Sequence, residues 1–225
     1  MKIVTLADTH GYHYKVDVPN GDMVIHAGDM TMDGTFNQLA TFFDWFKELP
    51  HKYKVVIPGN HDFWLAEKEI HCIPWENIIY LHNSMVTIEG IRIYGFPYIP
   101  PVGKWAFMMP HGQRQIAVEK IPEVDILVTH TPPRGILDIT EQDRNVGCLY
   151  LREYMFRSKA KYNVFGHIHE STGIEELKDT FFVNCSICDE NYRPVNKPKI
   201  IFYENGKDES LDEKTYLSCS GGKER

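Results

Sequence analysis

Residues 54–62, KVVIPGNHD, decide how this chain is read. Lys54 to Pro58 form a short run of β-branched residues that does not alternate with polar ones, the pattern of a strand buried on both faces. Gly59 closes the run, and Asn60, His61 and Asp62 follow at once. All three can donate or accept hydrogen bonds, protons or electron pairs. A strand that delivers such a cluster where it leaves its sheet raises the question of whether other strands end in the same way.

They do. KIVTLA from Lys2 runs into ADTH, with Asp8 and His10, and DMVIHA from Asp22 runs into HAGD, with Asp29. DILVT from Asp125 is followed by His130, and YNVF from Tyr162 by GHIH, with His167 and His169. Open α/β sheets bind ligands at the carboxyl ends of their strands, so these scattered segments are expected to converge on one crevice. Singly each has a bland reading: Asp-x-His as a turn, Gly28-Asp29 as a βα turn, His130 as the cap of an ordered loop. With 11 histidines in 225 residues, His167-x-His169 alone is a weak signal.

Further strands are expected in NIIYL from Asn77, TFFVN from Thr180 and KIIFY from Lys199, and a hairpin in MVTIEGIRIYGF, residues 85–96, around Glu89-Gly90. Helical periodicity marks TFNQLATFFDWFKEL from Thr35, with Thr35 as N-cap and Pro50 as stop, GQRQIAVEK from Gly112 and CLYLREYMFRSK from Cys148. Phe36, Phe42, Phe43, Trp45 and Phe46 read as helix core rather than as a base-stacking platform. Strands and helices alternate early and strands crowd the later part. The expected fold is therefore one layered α/β domain over residues 1–217, two packed sheets with outer helices, and residues 218–225, polar and glycine-rich, are expected to be a flexible tail.

At 43% hydrophobic and 24% charged residues the composition is that of an ordinary globular protein. The net charge of −7 argues against broad binding of extended nucleic acid, although bound metals can make a positive pocket in an acidic protein. Neither a basic leader nor a long apolar run is present, so a cytoplasmic protein without membrane association is expected. Cys72, Cys148, Cys185, Cys188 and Cys219 are odd in number and irregularly spaced, which suits a reducing compartment. Cys185-x-x-Cys188 lacks the second pair of a structural zinc site and reads as small residues at a strand end. Composition sets no oligomeric state.

Asp8-x-His10, Gly28-Asp29, Gly59-Asn60-His61-Asp62, His130 and Gly166-His167-x-His169 together resemble the ordered motif set of the calcineurin-like metallophosphoesterases, over residues 3 to about 170. KWAF (104–107), DILVTHTPPRGILD (125–138), VGCLYLRE (146–153) and FVNCSIC, followed by PVNKPKIIF, further resemble the metallophosphoesterase domain-containing subfamily. The resemblance implies a four-layer αββα sandwich of two mixed sheets flanked by helices. It also implies two divalent metal ions, one held by Asp8, His10, Asp29 and His169, the other by Asp29, Asn60, His130 and His167, with Asp29 bridging. Some animal members carry Gly where this chain has His167, and are weakened; His167 implies an intact site.

Imidazoles mixed with carboxylates and an amide favour Mn, Fe, Zn, Co or Ni over Mg or Ca, and manganese is the first expectation. Such a pair of cations lowers the pKa of a water held between them and clamps a phosphate for in-line hydrolysis. His61 is expected to protonate the leaving oxygen, Asp62 to orient its ring, Asn60 and His61 to contact substrate, and Arg134 either to reach a phosphate of the substrate or to form a surface ion pair. His13, His26, His51, His71, His82 and His111 match no ligand position. PYIPPVGKWAFMM, residues 97–109, either walls a pocket for a base or only packs against the sheet. The expected activity is that of a phosphodiesterase on small, cyclic nucleotides. The alternatives are a phosphomonoesterase acting on a nucleotide or phosphoprotein, a nuclease, and a catalytically weak binding module.

Overall fold

A computed structural model describes residues 1–68 and 75–204. His71, Cys72, Cys219, the end of the domain at residue 217 and the tail 218–225 lie outside the described residues.

Among the described residues eleven strands are formed: β1 (Lys2–Leu6), β2 (Met23–Ala27), β3 (Tyr53–Ile57), β4 (Ile79–Tyr80), β5 (Ser84–Ile88), β6 (Ile91–Phe96), β7 (Ile126–Thr129), β8 (Tyr162–Phe165), β9 (Gly173–Leu177), β10 (Thr180–Asn184) and β11 (Lys199–Phe202). Helices α1 (Phe36–Glu48), α2 (Phe63–Glu67), α3 (His111–Glu119) and α4 (Leu149–Arg157) alternate with them. One sheet runs β11-β1-β2-β3-β4 and the other β5-β6-β7-β8-β10-β9. In the first, only β11 is antiparallel to its neighbour; in the second, β5 and β9 are antiparallel edges on a parallel centre. The hairpin turns at Glu89-Gly90 with Ile88 paired to Ile91.

Because side chains on a strand alternate between faces, each buried strand serves two layers. Ile3, Ile25, Val55 and Ile57 of the first sheet meet Ile93, Ile126, Val128, Val164 and Val183 of the second. The opposite faces are covered by helices. Val4, Leu6, Val24 and Val56 pack on Leu39, Phe42, Phe43 and Phe46 of α1, whereas Leu127, Phe165 and Phe182 pack on Val118 of α3 and Leu151, Tyr154 and Met155 of α4. The result is a four-layer αββα sandwich. Thr35 caps α1 by accepting a hydrogen bond from Gln38 N at 3.3 Å, and Phe36 at its outer end is 47% exposed.

The sheets are stitched at one end. Ala7, just past β1, donates its N–H to Cys185 O at 3.0 Å and accepts from Ile187 N at 2.9 Å, just past β10. Strands β1, β2 and β3 of one sheet and β7, β8 and β10 of the other therefore end at a shared rim.

Candidate metal centre

At that rim the chain turns sharply. Asp8, His10, Asp29 and His167 all lie in the left-handed region, with φ of 54°, 43°, 56° and 70°. Left-handed backbone is costly for residues with a Cβ and persists where the surroundings hold it. Two glycines supply the space: a Cβ on Gly59 would collide with Asp29 Oδ1, and one on Gly166 with Asp8 Oδ2. The glycines of the GNHD and GHIH strings are thus needed so that a second strand end can approach.

Two clusters of metal-ligand side chains result, Asp8 with His10 and His169, and Asp29 with His130 and His167. His10 and Asp29 also group with His61. Each of four rings is oriented by a backbone carbonyl at Nδ1: His10 by Thr31 O at 3.2 Å, His61 by Met32 O at 2.7 Å, His130 by Ala27 O at 2.9 Å and His169 by Asp189 O at 2.9 Å. An Nδ1–H committed to a carbonyl leaves Nε2 to face the centre, the usual outer-shell arrangement of ligating histidines.

The electrostatics show what these atoms require. Burial disfavours charge on His130 and His169, yet the neighbouring carboxylates, chiefly Asp29 for the first and Asp8 for the second, raise both to about 9. Burial dominates at His10 and His167 and lowers them to about 4 and about 3. Asp8 and Asp29 lie below the usual carboxylate range because, against burial, the adjacent imidazoliums hold them ionised. Each cluster therefore gathers carboxylate and imidazole atoms that favour a cation between them. His130 Nε2 points at Asn60 Oδ1, 2.9 Å away, and Asp29 Oδ2, 3.3 Å away. His10 Nε2 and His169 Nε2 face each other at 3.3 Å, with His169 Nε2 3.7 Å from Asp8 Oδ1. Asp8 Oδ1 is buried and accepts no hydrogen bond from the described residues, although buried carboxylate oxygens are normally satisfied. Converging Nε2 atoms, a buried carboxylate oxygen without a hydrogen bond and an amide oxygen fit two divalent cations of borderline softness.

Asp62 corrects the sequence reading. Its carboxylate does not orient the His61 ring, a task that falls to Met32 O. It accepts instead from Gly59 N at 2.8 Å, Thr31 N at 3.1 Å and Thr31 Oγ1 at 2.9 Å, tying the loop after β2 to the loop after β3. Burial and the charge of Asp29 raise it to about 6. Arg134 is exposed. Its amide bonds to Cys148 O and its carbonyl accepts from Arg152, while among the described residues its guanidinium makes no ion pair. Cys185 and Cys188 are buried free thiols beyond β10.

The sequence reading assigned the end of β10 no part in the site. Ser186 Oγ donates to Asp8 Oδ2 at 2.6 Å, Asp189 holds His169, and Tyr192 lies 4.8 Å from the His10 ring. The carboxyl-end rule applied to TFFVN points to this stretch. Trp105 lies against His61 with ring centroids 4.4 Å apart, so the 97–109 loop does wall the site.

Comparison with known proteins agrees with this architecture. The family model for calcineurin-like phosphoesterases matches residues 1–171. Human metallophosphoesterase domain-containing protein 1 is 38% identical over 230 residues, covering 89% of this chain and 70% of that protein. Among solved structures, phosphopantetheinyl hydrolase (PptH) of Mycobacterium tuberculosis superposes with a TM-score of 0.58 at 12% identity, covering 93% of this chain and 98% of that one, a likeness of fold. TT1561 of Thermus thermophilus gives 0.56 at 14% identity, over 81% and 88%. The chain belongs to the calcineurin-like phosphoesterase family, whose chemistry is metal-dependent hydrolysis of phosphate esters at a dinuclear centre.

Proposed function

We propose that this protein is a cytoplasmic phosphodiesterase acting on small cyclic nucleotides, with manganese the first choice of metal ahead of Fe, Zn, Ni and Co. The observation that carries the reading is the completeness of the donor set at the rim, with His167 in place beside His130 at a ring separation of 4.9 Å. Asp8, His10 and His169 would hold one cation, Asn60, His130 and His167 the other, with Asp29 between them. When bound, the pair supplies Lewis acidity toward phosphate oxygens and a water acidic enough to attack at neutral pH.

The chain's own residues do the rest. Of the four rings held by a backbone carbonyl at Nδ1, His61 is the one outside the ligand set, which supports its role as the general acid that gives a proton to the leaving oxygen. Asp62 is a positioning residue, because the loops it joins carry Asp29, Asn60 and His61. Asn60 and His61 face the phosphate, and Arg134 stays available to an incoming anion. A diester brings a single negative charge and two organic groups, which suits a site walled on the His61 side by Trp105 rather than by lysine or arginine.

The test is hydrolysis of bis-p-nitrophenyl phosphate and p-nitrophenyl phosphate by metal-stripped protein resupplied separately with Mn, Ni, Zn, Co and Mg, with Asp29→Asn as control. Metal-dependent cleavage that favours the diester and vanishes in the variant supports the reading. Preference for the monoester transfers it to a phosphomonoesterase, and silence with every metal in folded protein rejects catalysis.

A further inference from the structure

Asp189–Arg193, the turn beyond β10, carries none of the motif residues, yet it is built with unusual care. The Asp189 carbonyl accepts two hydrogen bonds, from Tyr192 N and from His169 Nδ1, each 2.9 Å. Its carboxylate accepts from Asn191 N at 3.0 Å, Arg193 N at 2.8 Å and Arg193 Nε at 2.7 Å. This double hold keeps Tyr192 in the left-handed region, φ 57°, a conformation an unsupported tyrosine would leave. One oxygen atom thus fixes both a ligand-type histidine and an aromatic ring.

The ring lies edge-on over the histidine cluster. Its centroid is 4.8 Å from His10, 5.4 Å from His169 and 5.9 Å from His61, and the side chain is 36% exposed. Trp105 lies 4.4 Å from the same His61, inclined by 34°, with Phe63 behind it at 5.9 Å. It too is pinned, because the amide of Ala106 donates to Asn60 O at 3.1 Å. Both rings flank His61, so an organic group whose leaving oxygen meets His61 would lie beside them. Arg193, the basic group of the turn, is neutralised by Asp189, so the rings offer π surface rather than charge.

We infer that Trp105 and Tyr192 form the subsite for the leaving group and select flat aromatic groups, such as a nucleobase, over alkyl ones. The assignment rests on His61 facing the leaving oxygen. Stacking a base on an aromatic side chain changes binding by about ten- to a hundredfold.

The experiment uses the full metal-loaded chain and two cyclic diesters that share a five-membered ring, 2′,3′-cyclic AMP and ethylene phosphate. Tyr192→Leu and Trp105→Leu should each lower kcat/KM for the nucleotide about tenfold or more and for ethylene phosphate far less, whereas Tyr192→Phe should keep the wild-type ratio. Equal losses on both esters, or no loss on the nucleotide, overturn the subsite. A binding readout is independent of turnover: AMP, but not inorganic phosphate, should perturb tryptophan emission of the wild-type protein and bind more weakly to Tyr192→Leu. If bis-p-nitrophenyl phosphate is inert with every metal, the proposed activity fails and AMP binding alone decides the subsite. Should the leucine variants not fold, the wild-type titration decides, and identical responses to AMP and phosphate reject the inference.

Discussion

The layer between the sheets and the rim where the parallel strands end are made by the same strands, a few residues apart. Ile25 and Ala27 lie in the apolar layer and Asp29 at the rim; Val128 lies in that layer and His130 at the rim; Val164 precedes His167. Inside, the side chains are apolar and set by alternation. At the rim they are polar or ionisable, with Asp8, His10, Asp29 and His130 buried and His167 and His169 half-buried, and Asp8, His10, Asp29 and His167 sit on left-handed backbone. Each strand thus spends its middle on stability and its end on chemistry, and substitutions in the two regions should fail in different ways.

The sharpest test of that division is Asp29→Asn. Activity should fall by at least about a thousandfold and both metals should be lost together, since two-metal sites depend on the group shared between them. Asparagine tolerates the left-handed φ of 56° and can still accept the hydrogen bond from His61 N, so the fold should survive, with the melting temperature in chelator lowered because buried His130 loses its carboxylate partner. Loss of one metal only would refute a bridging Asp29. His61→Ala comes next. Turnover should drop by about 10² to 10⁴ while metal content by elemental analysis is retained, and unchanged turnover on a diester with a poor leaving group would remove the general acid.

The interior should show the reverse. Ile25→Ala, at a fully buried position, should cost about 2–5 kcal/mol in denaturant unfolding while the activity of the remaining folded protein holds. A smaller effect separates a rim-supporting residue from the rim itself. His26 is fully buried beneath the site, bonded to Thr9 Oγ1 at 3.0 Å, and burial lowers it to about 3. An unfolded histidine takes up its proton near pH 6.5 and the native one refuses it, so the native state binds fewer protons and stability falls on acidification from about pH 6.5 toward 3. The loss should reach about 2 kcal/mol at pH 5, and His26→Leu should unfold with that part of the pH slope missing. An unchanged slope would show that His26 protonates in the native state.

What was legible in the sequence follows the same boundary. Buried parallel strands announce themselves through unbroken apolar runs, and their ends through residue types that have no business in a core. β9 was not legible: Gly173–Leu177 is a half-exposed edge bearing Glu175 and Glu176, so it lacks a buried run. α2 is too short to show a period. Ligand-type residues stood out because side-chain chemistry is written in the sequence, whereas the carbonyls of Ala27, Thr31, Met32 and Asp189 that aim the rings belong to the backbone and have no letter of their own. Asp62 misled for a related reason, since adjacency to His61 suggested a partner that the turn directs to other strands' loops.

The stitch between Ala7 and the chain beyond β10 has a consequence for how the protein is made. His10 and His169 are 159 positions apart, and the Asp189 carbonyl that aims His169 comes later still. A ribosome delivers the residues in order, so neither cluster is complete while β1 to β4 are emerging, and that part of the chain holds only half of each site. Capture becomes possible only when β8 and β10 have docked. For this molecule, a metal held by both clusters would report that the two sheets have met.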